Sequence, residues 1–255
     1  MDTSISRPLG LFRGPAAYSP HTPWRPLAAL AVSAAIVLAG AVAAAFVLPT
    51  TLADIPLPGA WRQARPETAL LAALGVWQLT TIALTLAASA RHGGDPRVVL
   101  ALGRPVGAPG VYVKAIVAMV VLQIVVGIVQ RNLTDDAFAD LRPVRALLAG
   151  RDWLLGLAVV GVGAPLAEEM LFRGFLFSAL AATRAGVAGA AVITSATWTA
   201  LHAGYTLSGL GEVFLIGLFF SWLVWRTGSL RVAIFCHGLY NSLIVLALRY
   251  VPLPP

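Results

Sequence analysis

The sequence predicts an all-α fold, a polytopic membrane bundle of about seven transmembrane helices. Hydrophobic residues make up 58% of the 255 residues and charged residues only 11%, and the mean hydropathy is +0.83. Such a chain has lipid as its main solvent. Because a spanning helix needs about 20 apolar residues, the length accommodates about seven spans and no separate soluble domain.

The charge distribution argues against a nucleic-acid partner, and the cysteine content excludes a disulfide within the chain. The net charge is +7, but the arginines are spread over the flanks of apolar segments, where they anchor helices to headgroups. No basic patch is interleaved with aromatic residues, so we predict no nucleic-acid partner. The single cysteine, Cys236, excludes an intrachain disulfide, and a small apolar packing role suits it.

Residues 1–150 contain the predicted N-terminal tail and the first transmembrane helices. Residues 1–25 lack apolar periodicity and carry prolines, glycines and arginines, which predicts a disordered cytoplasmic tail. Spans are predicted at 26–48, 68–90 and 111–130, and the first is too long for a signal-peptide core. A proline-rich loop at 49–66, a basic connection and a long polar loop at 131–152 join them.

Residues 151–250 form the second predicted region, with spans at 153–182, 186–207, 212–225 and 230–250. The first of these would be roughly 45 Å long as one helix, so it must bend or protrude, and Pro165 is a natural kink. The third is short. The distribution of arginines and lysine favours an N-terminus inside and a C-terminus outside.

Charged residues interrupt the apolar span at 153–182. Glu168, Glu169 and Arg173 lie there, and charges at membrane depth cost a few kcal/mol unless they find partners or water. Residues four apart share a helix face, which predicts a structural salt bridge between Glu169 and Arg173. Glu168 is turned away by roughly 100°. It therefore needs another partner, or it faces a cavity.

Two later spans supply further polar groups, His202, His237 and Asn241. Each of these side chains could form a hydrogen bond between two helices. One shared site, however, would explain all three of them and Glu168 together. A carboxylate and two imidazoles can bind a divalent metal such as zinc or position a water. A buried glutamate can act as general base, and an asparagine can donate to an oxyanion. HExxH and GxSxG motifs are absent, so amide hydrolysis by activated water is favoured over a serine or thiol nucleophile.

Three motifs in the sequence resemble those of a known protein family. They are Glu168-Glu169-x-x-x-Arg173 for EExxxR, Trp198-x-x-x-His202 for FxxxH, and His237-x-x-x-Asn241 for HxxxN. Their order and spacing resemble those of the CAAX-protease and bacteriocin-processing (CPBP, or Abi) intramembrane endopeptidases, over residues 165–247. Tryptophan at position 198 replaces the usual phenylalanine. We expect this aromatic side chain to pack in a structural, supporting role, and the replacement puts little in doubt beyond the shape of the pocket.

The resemblance implies roles for these residues. Glu168 and His202 would activate water, while His237 and Asn241 would face the tetrahedral intermediate. A divalent metal, held by Glu168, His202 and His237, is also implied. The expected activity is therefore a glutamate-dependent, metalloendopeptidase-like cleavage of a membrane-associated protein or peptide, in what the alanine- and arginine-rich composition suggests is a bacterial plasma membrane.

Two other functions stay open. A non-proteolytic protein, such as a bacteriocin-immunity factor or a scaffold, could use the same polar cavity for binding. A small transporter or proton relay would also contain buried glutamate and histidine, but no inverted repeat supports it.

The depth of His202 conflicts with ideal straight spans, which leave it about 10 Å or more from Glu168 and His237, as helical rise gives. Three explanations are possible. The turn at 184–186 lies deeper than predicted, or the helix tilts strongly, or the uncharged connection at 203–211 enters the protein.

Overall fold

The computed structural model describes residues 11–252, except 13, 49–65, 108 and 135. The first ten residues of the predicted tail and nearly all of the predicted proline-rich loop lie outside the described residues. Within the described ranges every regular element is helical, which confirms the all-α prediction.

The described part forms nine helices and one 3₁₀ turn at Arg91–Gly93. The helices are α1 (Pro26–Ala45), α2 (Pro66–Ser89), α3 (Pro96–Val99), α4 (Gly110–Leu133), α5 (Leu141–Leu148), α6 (Trp153–Ala181), α7 (Gly186–Ala200), α8 (Leu207–Thr227) and α9 (Leu230–Tyr250). Six of them, α1, α2, α4, α6, α8 and α9, are long and apolar enough to cross a membrane. The chain is an integral membrane protein.

The predicted boundaries around the loop before α8 are wrong. The span predicted at 186–207 is helical only over the 15 residues of α7, which is about 22 Å and shorter than a bilayer core of about 30 Å. The span predicted to be short begins earlier and has 21 residues, because Thr206 caps α8 by accepting a hydrogen bond from the Gly209 N–H. The prediction for α9, by contrast, matches the structure.

Helix α6 lies at the centre of the bundle, where it contacts α1, α2, α7, α8 and α9. All residues from position 169 to 181 are buried, among them Phe172, Phe175 and Phe177. The outward faces of α1 and α4 expose large apolar side chains such as Leu38 and Ile124. Exposed apolar faces around a buried central helix suit a lipid environment.

Pro165 changes the hydrogen bonding of α6 without ending the helix. A π-helical stretch, Leu157–Gly163, lies directly before it. The Ala164 N–H is bonded to the Val159 carbonyl, so the Val160 carbonyl would need the N–H of residue 165, and proline has none. Helix α9 supplies donors instead, since Asn241 Nδ2 lies 3.1 Å from the Val160 oxygen and Ser242 Oγ lies 3.3 Å from the Gly161 oxygen. These two bonds hold α9 in a fixed register against α6.

The N-terminal segment, residues 14–25, packs against the bundle, which differs from the expected disordered tail. Its backbone N–H at Tyr18 donates to the Trp225 carbonyl at 3.1 Å, and the indole N–H of Trp24 donates to the Ala88 carbonyl at 3.0 Å. The Tyr18 and Trp24 rings contact Phe177 and Phe175 respectively. Composition predicted disorder because prolines and arginines outnumber these two aromatic anchors.

We expect Trp24→Ala to lower the free energy of unfolding by about 2 kcal/mol, because it removes a half-buried ring and a hydrogen bond. Thermal unfolding in detergent measures the effect. His21→Ala is the matched control, since this exposed side chain lies in the same segment and the change keeps the His21 carbonyl. Equal stability of the two variants would show that the segment does not dock.

Candidate active site

The four side chains predicted to be catalytic line one cavity of about 380 Å³. Glu168 comes from α6, His202 from the turn after α7, and His237 and Asn241 from α9. Trp198, Tyr205 and Glu212 also line it. Polar groups from separate elements thus face one space.

Glu168 receives a hydrogen bond from an unexpected donor. The indole Nε1–H of Trp198 donates to Glu168 Oε2 at 2.7 Å. Trp198 is 3% exposed, and a buried indole N–H normally finds an acceptor. Trp198 therefore has a contact that goes beyond the packing expected of it. The signal was the residue type itself, because phenylalanine has no donor and tryptophan has one.

His202 lies in the turn that follows α7, and this position removes the conflict of depth. Helix α7 ends at Ala200, and the side chains of His202, Tyr205 and Thr206 line the cavity. Residues 203–207 are exposed, so the third explanation, a connection that enters the protein, does not fit; it is the early end of α7 that brings His202 to the cavity. His202 Nδ1 lies 3.0 Å from the Trp198 carbonyl oxygen. A carbonyl only accepts hydrogen bonds, so Nδ1 carries the proton and Nε2 keeps its lone pair.

His237 is held by a different kind of partner, the carboxylate of Glu169. Its Nδ1 lies 3.0 Å from Glu169 Oε1, and its ring stacks on Phe220 with centroids 4.7 Å apart. The ring is 4% exposed. An ionised carboxylate only accepts hydrogen bonds, so Nδ1 carries a proton. Nε2 is then the ring nitrogen that is left for the cavity.

The predicted salt bridge between Glu169 and Arg173 is present, with Arg173 Nη1 3.4 Å from Glu169 Oε1 and both side chains fully buried. Glu169 therefore does more than the sequence indicated, because the same oxygen also binds His237. The Arg173 guanidinium lies 4.3 Å from the centre of the Trp198 ring, a cation–π arrangement. The ion pair thus lies directly behind the candidate site.

Asn241 has a structural contact in addition to its place in the cavity. Its Nδ2 donates to the Val160 carbonyl freed by Pro165. This bond fixes the amide orientation, because only the NH₂ group can donate to a carbonyl. The second N–H hydrogen stays available to an acceptor in the cavity.

Further acidic residues line the cavity, and sequence analysis did not assign them to it. Asp140 accepts hydrogen bonds from the N–H and the hydroxyl of Thr206, at 2.9 and 2.7 Å. Glu212 accepts one from Gln130 Nε2 at 2.8 Å. The hydrogen bonds from Arg142 lower the pKa of Asp136, which also lines the cavity. A glutamate at the start of an apolar span was the available signal for Glu212.

The predicted metal ligands, Glu168, His202 and His237, do not converge on one ion. Within the described part of the chain, no group of three histidine, cysteine, aspartate or glutamate side chains is placed to bind a metal. One oxygen of Glu168 already accepts the Trp198 indole N–H. A metal held by Glu168, His202 and His237 stays a prediction, and the chemistry below uses the side chains alone.

Removing one partner of the buried ion pair should cost more than removing both. Glu169→Gln or Arg173→Met alone leaves an uncompensated buried charge, which destabilises by about 3 kcal/mol, whereas the double variant leaves none. Thermal unfolding in detergent of the two single variants and the double variant gives the comparison. A double variant that loses the sum of both single effects would contradict the coupling.

Comparison with known proteins agrees with the motif resemblance. The family model described as type II CAAX prenyl endopeptidase, Rce1-like, matches residues 150–243, which contain all three motifs. No curated protein and no solved structure matches the chain. The predicted relationship is confirmed: residues 150–243 match the Rce1-like type II CAAX prenyl endopeptidases, a family of the CAAX-protease and bacteriocin-processing (CPBP) type.

Proposed function

We propose that the protein is an intramembrane endopeptidase that hydrolyses a peptide bond in a membrane-associated protein or peptide. The observation that carries the proposal is the shared cavity, in which a glutamate, two imidazoles and an amide from three elements face one space. A water and a peptide carbonyl could meet these groups there. The family described as CAAX prenyl endopeptidases makes lipidated peptides the first substrates to test.

Glu168 acts as the general base in this mechanism. The water oxygen attacks the carbonyl carbon of the scissile bond while its proton passes to the Glu168 carboxylate. His202 accepts a hydrogen bond from the same water through Nε2, because its Nδ1–H is already donated to the Trp198 carbonyl. Glu168 then returns the proton to the leaving amine as the C–N bond breaks. Water is consumed and both carboxylate and imidazole return to their starting states.

Asn241 and His237 stabilise the oxyanion of the tetrahedral intermediate. Asn241 has one N–H hydrogen that is not used by the Val160 carbonyl. His237 donates through Nε2 when its ring is protonated, and the Glu169 carboxylate at Nδ1 stabilises that cation. Donors fixed in advance by such partners stabilise developing charge without reorganisation.

The cellular setting follows from the same proposal. The substrate enters from the bilayer or its surface, and the protein lies in a bacterial plasma membrane with its N-terminus in the cytoplasm. A non-proteolytic immunity factor or scaffold is the alternative, and the first experiment below separates the two.

Glu168→Ala should lower the cleavage rate by about 10³-fold, because it removes the general base, while folding and membrane insertion persist. The measurement uses protein in detergent with lipidated and unlipidated peptides, in water enriched in oxygen-18, and detects the label at new C-termini by mass spectrometry. Glu67→Ala is the control, since Glu67 is exposed at the start of α2.

Two results would contradict this proposal. Full activity in Glu168→Ala removes Glu168 from the chemistry. Failure of the unsubstituted protein to label any peptide, together with partner binding that depends on the cavity residues, supports the non-proteolytic alternative.

Cleavage should persist after dialysis against a zinc chelator, because the described residues place no three ligands around one ion. The rate before and after dialysis is the measurement, and added zinc is the control. A loss of activity that zinc restores would show that Glu168, His202 and His237 converge on a metal during the reaction.

A further inference from the structure

Trp198 contacts four ionisable side chains in or next to the site, those of Glu168, Arg173, His202 and His237. Its indole N–H donates to Glu168, and its ring lies edge-on to the rings of His202 and His237, with centroids 5.1 and 5.6 Å apart. The Arg173 guanidinium covers the ring at 4.3 Å. A packing role alone does not require this set of contacts.

The hydrogen bond to Glu168 is the most specific of these contacts. Within the described part of the chain, Trp198 is the hydrogen-bond partner of the Glu168 carboxylate. A bond from N–H to an ionised carboxylate is stronger than one between neutral groups. It uses one lone pair of Oε2, and Oε1 is the oxygen with both lone pairs left to accept a proton.

The indole is itself held rigidly. It is 3% exposed, and Arg173 and Phe220 lie next to its ring, the latter with centroids 6.4 Å apart. Because Arg173 is bound to Glu169, the buried ion pair restrains the indole that restrains Glu168. The orientation of Glu168 thus depends also on the ion pair between Glu169 and Arg173.

The same residue also restrains the second water-activating group. The Trp198 carbonyl accepts the hydrogen bond of His202 Nδ1 at 3.0 Å. The side chain of one residue therefore fixes Glu168, and its backbone fixes the tautomer of His202. Phenylalanine, the usual residue at this position of the motif, could supply the backbone contact but has no N–H for Glu168.

We propose that Trp198 is a positioning residue, whose indole N–H orients the Glu168 carboxylate for proton abstraction. This inference rests on the proposed function, because it assigns Trp198 to the same reaction. It also makes the tryptophan at this motif position a functional difference and not a matter of pocket shape.

Kinetics test the proposal through Trp198→Phe, which keeps an aromatic ring and the backbone contact to His202 but removes the donor. We expect kcat to fall about tenfold, as the loss of a hydrogen bond to a charged group predicts, with KM changed less than about twofold. Trp222→Phe is the matched control, because Trp222 contacts Phe12 and Phe219 and does not line the cavity. Melting temperatures of both variants show whether folding is intact.

Either of two kinetic results would overturn the proposal. An unchanged kcat in a folded Trp198→Phe variant means that the hydrogen bond has no role in the reaction. A raised KM with unchanged kcat means that the indole only shapes the pocket.

A second measurement needs neither cleavage nor a change at Trp198. In protein labelled with ¹⁵N-tryptophan, one of the seven indole N–H resonances should move when Glu168→Gln removes the charged acceptor, and none should move in Glu67→Gln. If no resonance moves in Glu168→Gln, the hydrogen bond does not exist in solution and the proposal is wrong. If one moves while no substrate is ever cleaved, the contact stands and the proposed function fails instead.

Discussion

The candidate site depends on one buried carboxylate, Glu169, which binds Arg173 of its own helix and His237 of α9 through the same oxygen. Two charges buried together lose their hydration, a cost that only close partners offset. Within α6, Arg173 provides the opposite charge and extends over the Trp198 ring. Across the helix interface, the carboxylate sets which nitrogen of His237 carries its proton. The ion pair between Glu169 and Arg173, which spacing within one helix predicts, therefore also orients His237 and the Trp198 ring.

The register of α9 against α6 is set by a second constraint, the missing N–H of Pro165. The Val160 and Gly161 carbonyls accept hydrogen bonds from Asn241 and Ser242 of α9. These bonds fix α9 against α6 at a point one turn after His237. An unsatisfied carbonyl in a membrane interior is costly, which makes these two bonds hard to lose. The proline thus contributes both to the irregular hydrogen bonding of α6 and to the placement of α9.

Sequence patterns predicted the elements better than the contacts between them. Hydropathy and helical spacing predicted the bounds of α9, the central charged helix and four of the polar residues that line the cavity, but not its further acidic residues. The start of α8 was missed because its cap, Thr206, is itself held by Asp140, which is 66 positions away. Spacing along one helix could not show that Glu169 meets His237 or that Trp198 meets Glu168, since these pairs lie 68 and 30 positions apart. The N-terminal segment was misjudged because composition averages over its two anchoring aromatic residues.

The different partners of the two histidines favour different tasks for them. Both rings have Nδ1 in a hydrogen bond, so only Nε2 can act in the cavity. The partner of His202 is a neutral carbonyl, which fixes the tautomer but does little to stabilise a charged ring, and this suits an acceptor for water. The partner of His237 is a carboxylate, which stabilises the protonated ring and suits a donor to an oxyanion. If His202 were the donor to the oxyanion, its protonated ring would have only a neutral carbonyl at Nδ1 to stabilise it, which is the less favourable arrangement. This assignment is the one we propose, and it agrees with the roles that the motif resemblance implies.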